Sequence, residues 1–344
     1  MKKSLELLCV ILILGSILIS CNQDKTNDPE NESKFTKLSG AYLGQKPPGL
    51  TPEIFAKNII SSPFNDNGTP TFSPDMNEVY WSVTYVRGTP EVILYKKKIN
   101  NEWTEAQVAD FSGQYNDGSP FLSPDNSKLF FHSNRPINGK GEPKDFDIWY
   151  VNRTKDGWSE PINAGKNVNT EKREWYPTIS KKGTLYFTSF HEGYVYDIGI
   201  FKSNMIENTF SERMVLGEKI NSKKGYNFCA FIEPNEEFLL LCSGRDGQEF
   251  DDLYCSFKNE DNSWSDPIIF NPSINAESNE RSPRISADGR YMFFTRIRNI
   301  DKKTYYEVPQ SLKDLNNNYC TMDNYDIYWV DAKIIDDLKP QHLK

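Results

Sequence analysis

Ahead of five regularly spaced anchor residues, this chain carries polar and aromatic side chains that could do chemistry. The anchors are Pro70, Pro120, Pro177, Cys229 and Pro283, at intervals of 50, 57, 52 and 54 residues. Three positions before them stand Asn67, Asp117, Glu174, Tyr226 and Glu280, and one step on stand Gly68, Gly118, Trp175, Asn227 and Arg281. If the repeat sets equivalent positions around an axis, each group becomes a ring. Three carboxylates in one ring have the oxygen chemistry that a hard cation such as calcium requires. The simpler expectation is that they pair with Arg281 or Arg173, or cap turn backbone. Trp175 and Tyr226 on the same rim offer flat faces to a sugar or a peptide, or pack among themselves.

Two further recurrences have chemical content. Arg135, Arg245 and Arg296 follow an apolar strand, and Asp147, Asp252 and Asp326 open the next one. A ligand clamp is one reading. A charge pair repeated in several units serves each unit more plausibly, so an arginine–aspartate tie within each unit is expected. His132, His191 and His342 are the three histidines. His132 and His191 both end such a strand, and a metal held by them would need carboxylate help from the ring. There is no Gly-x-Ser-x-Gly elbow, HExxH helix or phosphate-binding glycine loop. Carboxylates are plentiful, but no pair is marked by spacing as a glycosidase pair.

The elements that must position these residues are short strands. Each copy runs from the anchor through a polar turn into an aromatic strand: Ser73-Pro-Asp75 into Val79-Tyr-Trp-Ser82, Ser123-Pro-Asp125 into Leu129-Phe-Phe-His132, Ser180 into Leu185-Tyr-Phe-Thr188, Ile232 into Phe238-Leu-Leu-Leu-Cys242, and Ser286-Ala-Asp-Gly289 into Met292-Phe-Phe-Thr295. A third strand follows at Val92-Ile-Leu-Tyr95, Asp147-Ile-Trp-Tyr150, Asp197-Ile-Gly-Ile200, Asp252-Leu-Tyr-Cys255 and Asp326-Ile-Tyr-Trp329, and a fourth follows Trp103, Trp158, Phe210 and Trp264. Self-similarity at this period, built from alternating apolar residues, predicts an all-β propeller of four-stranded blades.

The fifth copy lacks its fourth strand, and residues 331–338 read as a short helix. Thr51-Pro-Glu-Ile-Phe-Ala-Lys-Asn-Ile-Ile60 matches Glu160-Pro-Ile-Asn-Ala-Gly-Lys-Asn-Val168. The N-terminal segment is therefore expected to complete the last blade and close the ring, removing an exposed sheet edge. Five blades are counted. Six is the alternative, should residues 38–66 and 298–324 together form another.

The Ser-Pro-Asp/Asp-Gly turn, the aromatic strand, Ser133-Asn-Arg135 or Ser243-Gly-Arg245, and the Asp-Ile-Tyr strand resemble the PD40, WD40-like repeats of TolB-type propellers over roughly residues 45–338. Tyr42-Leu-Gly-Gln-Lys-Pro-Pro-Gly-Leu-Thr-Pro52 is similar to lipidated members of that group in Bacteroidetes. The resemblance implies a scaffold more than a task, because such propellers serve as binding modules and as parts of enzymes. TolB itself usually carries six such blades and a separate α/β domain, for which this chain has no room, so a TolB-specific role does not follow.

Residues 1–20 read as a lipoprotein signal peptide: Lys2 and Lys3, an apolar run, then Leu18-Ile-Ser-Cys21, which resembles a lipobox with Cys21 as the lipidated residue. Residues 21–37 are expected to be a disordered tether, and 38–344 a single propeller domain. The net charge of −8 shows no basic stripe, which argues against nucleic acid. Cys229 and Cys242 fall opposite each other if Ile232 pairs with Leu239, and an exported chain could oxidise them; buried free thiols are the plainer reading. The long insertion Arg298 to Asn324 is a candidate partner lid or a decoration of the channel.

The expectation is thus a cell-envelope protein, lipid-anchored to the outer membrane and monomeric in its propeller. It binds an envelope protein, peptide or glycan at the channel mouth without catalysis and without a cofactor. The alternative is a glycan-active lyase or glycosidase using rim carboxylates, with or without a metal.

Overall fold

The computed structural model describes residues 38–61, 66–84, 89–193, 197–247, 250–297 and 325–343. The signal segment, Cys21, the tether and the insertion 298–324 lie outside them. The described chain forms five antiparallel sheets arranged as a five-bladed β-propeller.

Strands are lettered a to d from the channel outward. Strand a is Thr71–Phe72 in blade one, preceded by Asp66–Asn67, and then Asp117–Leu122, Glu174–Ile179, Asn227–Ile232 and Glu280–Ile285. Strand b is Glu78–Thr84, Lys128–Ser133, Thr184–Phe190, Phe238–Ser243 and Tyr291–Ile297. Strand c is Val92–Ile99, Asp147–Asn152, Ile198–Ile206, Asp252–Phe257 and Tyr325–Asp331. Strand d is two residues long in each blade: Gln107–Val108, Ile162–Asn163, Met214–Val215, Ile268–Ile269 and, in blade five, Glu53–Ile54.

That last strand is the predicted closure. Glu53 lies opposite Trp329 and Ile54 opposite Tyr328, so the start of the propeller supplies the outer edge of its final blade. Phe55, fully buried, then meets Phe293 and Trp329, with ring centroids 5.0 Å away in each case. The match between the N-terminal segment and the later segments extends to hydrogen bonding. The turn after strand d ends in a polar residue that locks the strand c of the same blade. Asn169, Asn221 and Asn275 accept from the amides of Ile148, Ile200 and Leu253 and return a bond to the same residues' carbonyls. Ser61 accepts from Ile327 N at 3.2 Å in the same way. Residues 38–61 do not begin a sixth blade. Besides the closing strand they supply Tyr42 and Leu43 to the apolar cluster between blades five and one.

The Ser-Pro-Asp turns form because the serine hydroxyl and the carboxylate take over backbone donors that a tight turn leaves open. Ser73 Oγ donates to Asp75 and accepts from Glu78 N, Asp75 accepts from Asn77 N, and blades two and five repeat this around Ser123–Asp125 and Ser286–Asp288. The helix at the end runs Ile334–Leu338, with Ile334 and Ile335 buried.

One feature of strand a corrects the repeat alignment. In blades two to five the pairing with strand b shifts between Gly118 and Phe121, Trp175 and Thr178, Phe228 and Phe231, and Arg281 and Arg284. Each shift is a bulge centred on a residue of positive φ: Ser119 at 50°, Tyr176 at 53°, Cys229 at 51° and Ser282 at 51°. Cys229 is therefore the bulge residue, and the counterpart of Pro120, Pro177 and Pro283 in blade four is Ala230. The bulge also places Phe228, not Cys229, opposite Cys242, although Ile232 does pair with Leu239. Cys229, Cys242 and Cys255 are buried free thiols.

Candidate functional site at the channel mouth

The expected carboxylate ring exists, but it faces inward. Asp117, Glu174 and Glu280 are fully buried, and each is closed by an arginine of its own: Arg135 at 2.7 Å, Arg213 at 2.8 Å and Arg296 at 2.8 Å. The bulge register places Asn227 rather than Tyr226 in this ring, and Asn227 Oδ1 accepts from Arg245 at 2.8 Å. The recurring arginines thus pair with the start of strand a, not with Asp147, Asp252 and Asp326 of strand c as expected. A second set of acceptors decides this. Arg135 also donates to the carbonyl of Phe111, Arg245 to those of Lys219 and Ile220, and Arg296 to those of Ser273 and Ile274. One guanidinium so satisfies both the acid and the open carbonyls of the turn leading into its blade. Asp147 instead accepts from Asn163, and Asp326 from Ser61. Among the described residues no three His, Cys, Asp or Glu side chains converge as a metal would need.

Glu280 is the least comfortable member. Its Oε1 accepts from Ser278 and Arg296, but Oε2 is buried without a partner. Burial outweighs these donors and pushes its carboxyl up to about 7. Burial also raises Glu174, against donors from Ser189 and Thr170 and the charge of Arg213.

The open cavity lies on the face where the d–a and b–c connections emerge, as expected for the mouth. It holds about 290 Å³ and is lined by Glu91, Asn116, Ser119, His132, Phe146, Trp175, Tyr176, Arg281, Ser282 and Tyr325, among others. Of the predicted rim residues it brings together Gly68, Trp175 and Arg281. Asp117, Glu174, Asn227 and Glu280 stand behind it. Tyr226 turns to Asp251, to which its hydroxyl donates, and Asn67 is placed by its backbone, opposite Val83 in strand b. His191 lies apart from the cavity. Its Nδ1 is 2.8 Å from the carbonyl of Glu192 and its ring is against Phe201, so it does not meet His132.

Arg281 reaches over the rings of Phe228 and Tyr325, at 5.5 and 5.3 Å, and is ion-paired with the buried Asp251. His132 stands edge-on to Phe146 and Tyr176, with its Nε2 3.5 Å from Glu91 Oε2 and its Nδ1 buried without a hydrogen bond. Gly118 makes room for this pair. A Cβ there would fall 2.2 Å from Glu91 Oε2 and 2.6 Å from His132 Nε2, which no real contact tolerates. Tyr176 is held strongly in its neutral phenol form by the neighbouring Cys229 and by burial.

Below the bulge residues the channel is plugged. Phe121 of blade two meets Phe231 of blade four with centroids 6.1 Å apart. Arg284 of blade five crosses to blade two, donates to the Pro120 carbonyl and lies over Phe121 at 5.5 Å. A separate, more apolar funnel of about 380 Å³ opens at the opposite end, between Phe72, Phe121, Phe231 and Ile285.

Sequence reasoning missed Glu91, Tyr176, Tyr325 and Arg284. Glu91 and Tyr325 flank long b–c connections whose path no repeat predicts. Arg284 did leave a signal: it occupies a position where the other blades carry Thr71, Phe121, Thr178 and Phe231.

No family model matches the chain, and no curated protein matches it. Among solved structures it is similar to a putative TolB from Agrobacterium tumefaciens, at 12% identity over 78% of this chain and 90% of the other, TM-score 0.47. It is also similar to an α-L-arabinofuranosidase from Lactobacillus brevis, at 12% identity over 80% and 93%, TM-score 0.47. An endo-arabinase from Bacteroides thetaiotaomicron VPI-5482 aligns at 13% identity over 73% and 92%, TM-score 0.46. Likenesses at this level carry no argument about what this chain does.

Proposed function

We propose that this chain is a cell-envelope lipoprotein, anchored to the outer membrane through Cys21, whose propeller of PD40-type repeats binds a peptide, protein or glycan group at the channel mouth without transforming it. No cofactor enters this reading, nucleic acid is not a partner, and the propeller works as a monomer. The observation that carries it is the composition of the mouth. Aromatic faces from Phe146, Trp175, Tyr176 and Tyr325 surround a few fixed polar groups, the usual make-up of a recognition pocket. Among the described residues Glu91 is the single carboxylate lining it, whereas glycoside hydrolysis needs two that face each other across the bond.

The test begins with arrays of envelope glycans and peptides probed with the full-length protein in detergent. Hits are then titrated by calorimetry against Trp175→Ala. Loss of a stacking face should weaken binding about tenfold. Cleavage of a hit on prolonged incubation would overturn the reading in favour of a glycan-active or peptide-active enzyme. Cys21→Ser should move the protein from the membrane fraction to the soluble fraction.

A further inference from the structure

We propose that Arg284 forms the floor of the mouth site and takes a carboxylate group of the ligand; this rests on the mouth being a binding site. Arg284 is 5% exposed, and among the described residues no carboxylate bonds to it. It differs in this from Arg135, Arg153, Arg213, Arg281, Arg290 and Arg296, each of which pairs with an acid. The Pro120 carbonyl is the acceptor that the fold supplies, for a group able to donate five hydrogen bonds. Burial pushes its pKa down to about 10, so the guanidinium keeps its charge at neutral pH. A buried cation that no described carboxylate bonds is costly, and an apolar side chain of similar volume would serve the fold better. The other blades carry an uncharged residue at this position, Phe in two and Thr in two.

The surroundings suit an anion of one charge. Arg284 is not itself a lining residue of the cavity, but Ser282, two residues before it, and Ser119, next to the Pro120 whose carbonyl it bonds, both line it. The imidazole of His132 offers a buried nitrogen without a partner. Of the nearby acids, Glu91 faces His132 at 3.5 Å and acts on Arg284 through space without bonding it, and Asp251 is paired with Arg281. A single guanidinium matches one planar carboxylate in its two-pronged geometry. A dianionic phosphate would leave excess negative charge beside Glu91. The carboxylate could belong to a uronic acid or to an acidic peptide, and the probes separate the two.

Full-length protein in detergent is titrated with acetate, galacturonate, galacturonate methyl ester, glycyl-glutamate and inorganic phosphate, by calorimetry and by thermal melting. Galacturonate or glycyl-glutamate should bind, with acetate weaker, and the methyl ester and phosphate should bind at least tenfold less well. Arg284→Met should lose at least tenfold in affinity for the carboxylate while melting no lower than wild type. That combination separates a binding role from a purely structural one. Binding by none of the carboxylates overturns the proposal, as does equal binding of the ester or of phosphate. A lower melting temperature with unchanged affinity in Arg284→Met would also overturn it. A neutral ligand that depends on Trp175 but not on Arg284 would sink this proposal while leaving the mouth as the binding site.

Discussion

Replacing Arg135 with alanine tests whether the acid ring is a structural clamp, on which the reading of the mouth depends. Arg135 donates to Ser133 Oγ at 2.9 Å, Phe111 O at 2.8 Å and Asp117 Oδ1 at 2.7 Å, and lies over Phe131 and Trp149 at 5.1 and 5.5 Å. Arg135→Ala leaves Asp117 fully buried with Ser112 as its remaining donor. Breaking a buried pair from one side costs about 3–5 kcal/mol. Asp117→Asn should be far milder, about 1 kcal/mol, since an amide oxygen still accepts from the arginine. Blade four already contains that arrangement. There Asn227 Oδ1 accepts from Arg245, while its Nδ2 donates to the carbonyls of Ser222 and Gly225. Urea unfolding followed by tryptophan fluorescence, with and without calcium, reads both variants. The reasoning fails if Arg135→Ala lies within about 1 kcal/mol of wild type. It fails equally if calcium stabilises the wild type but not Asp117→Asn, which would put a cation in the ring after all.

Closure and pH give two further expectations. Phe55→Ala should cost about 3–5 kcal/mol, because the ring is fully buried against Phe293 and Trp329. Deleting residues 38–60 should expose the edge of Tyr325–Asp331 and yield an aggregating product by size exclusion, where a stable monomer would contradict ring closure. Burial raises the carboxyls of Asp147 and Asp252 to about 6 and of Glu280 to about 7. A carboxyl raised in the folded state holds its proton more tightly there than in the unfolded chain. Stability should therefore fall as pH rises from about 4, the unfolded carboxyl value, through 6 to 7. Glu280→Gln should flatten the upper part of that decline by on the order of 1–2 kcal/mol, and an unchanged profile in pH-dependent urea unfolding would refute the assignment.

The blade count, the order of strands within each blade and the N-terminal closing strand were legible because side chains alternate along a strand and the repeat copies that alternation five times. Ser61, which stands in for Asn169, Asn221 and Asn275, lies one residue past the matched segment, so its role came only with the structure. The candidate site was legible only in part. Trp175 and Arg281 line the mouth as expected, while Asp117, Glu174 and Glu280 turned out to be buried partners of arginines. The bulge at Ser119, Tyr176, Cys229 and Ser282 is the reason for much of the difference. One extra residue in strand a reassigns which side chain faces the channel and which faces strand b.

Local rules thus sufficed for the blades, since alternation, turn chemistry and repeat period act between neighbours in the chain. The company each side chain keeps at the axis is a matter of assembly. Arg284 meets the Pro120 carbonyl across 164 residues, and Phe121 meets Phe231 from a blade that is not its neighbour. Such contacts arise only once five sheets have closed around a common centre. A charge that reads along the strand as one more polar residue then becomes a buried cation to which no described carboxylate bonds.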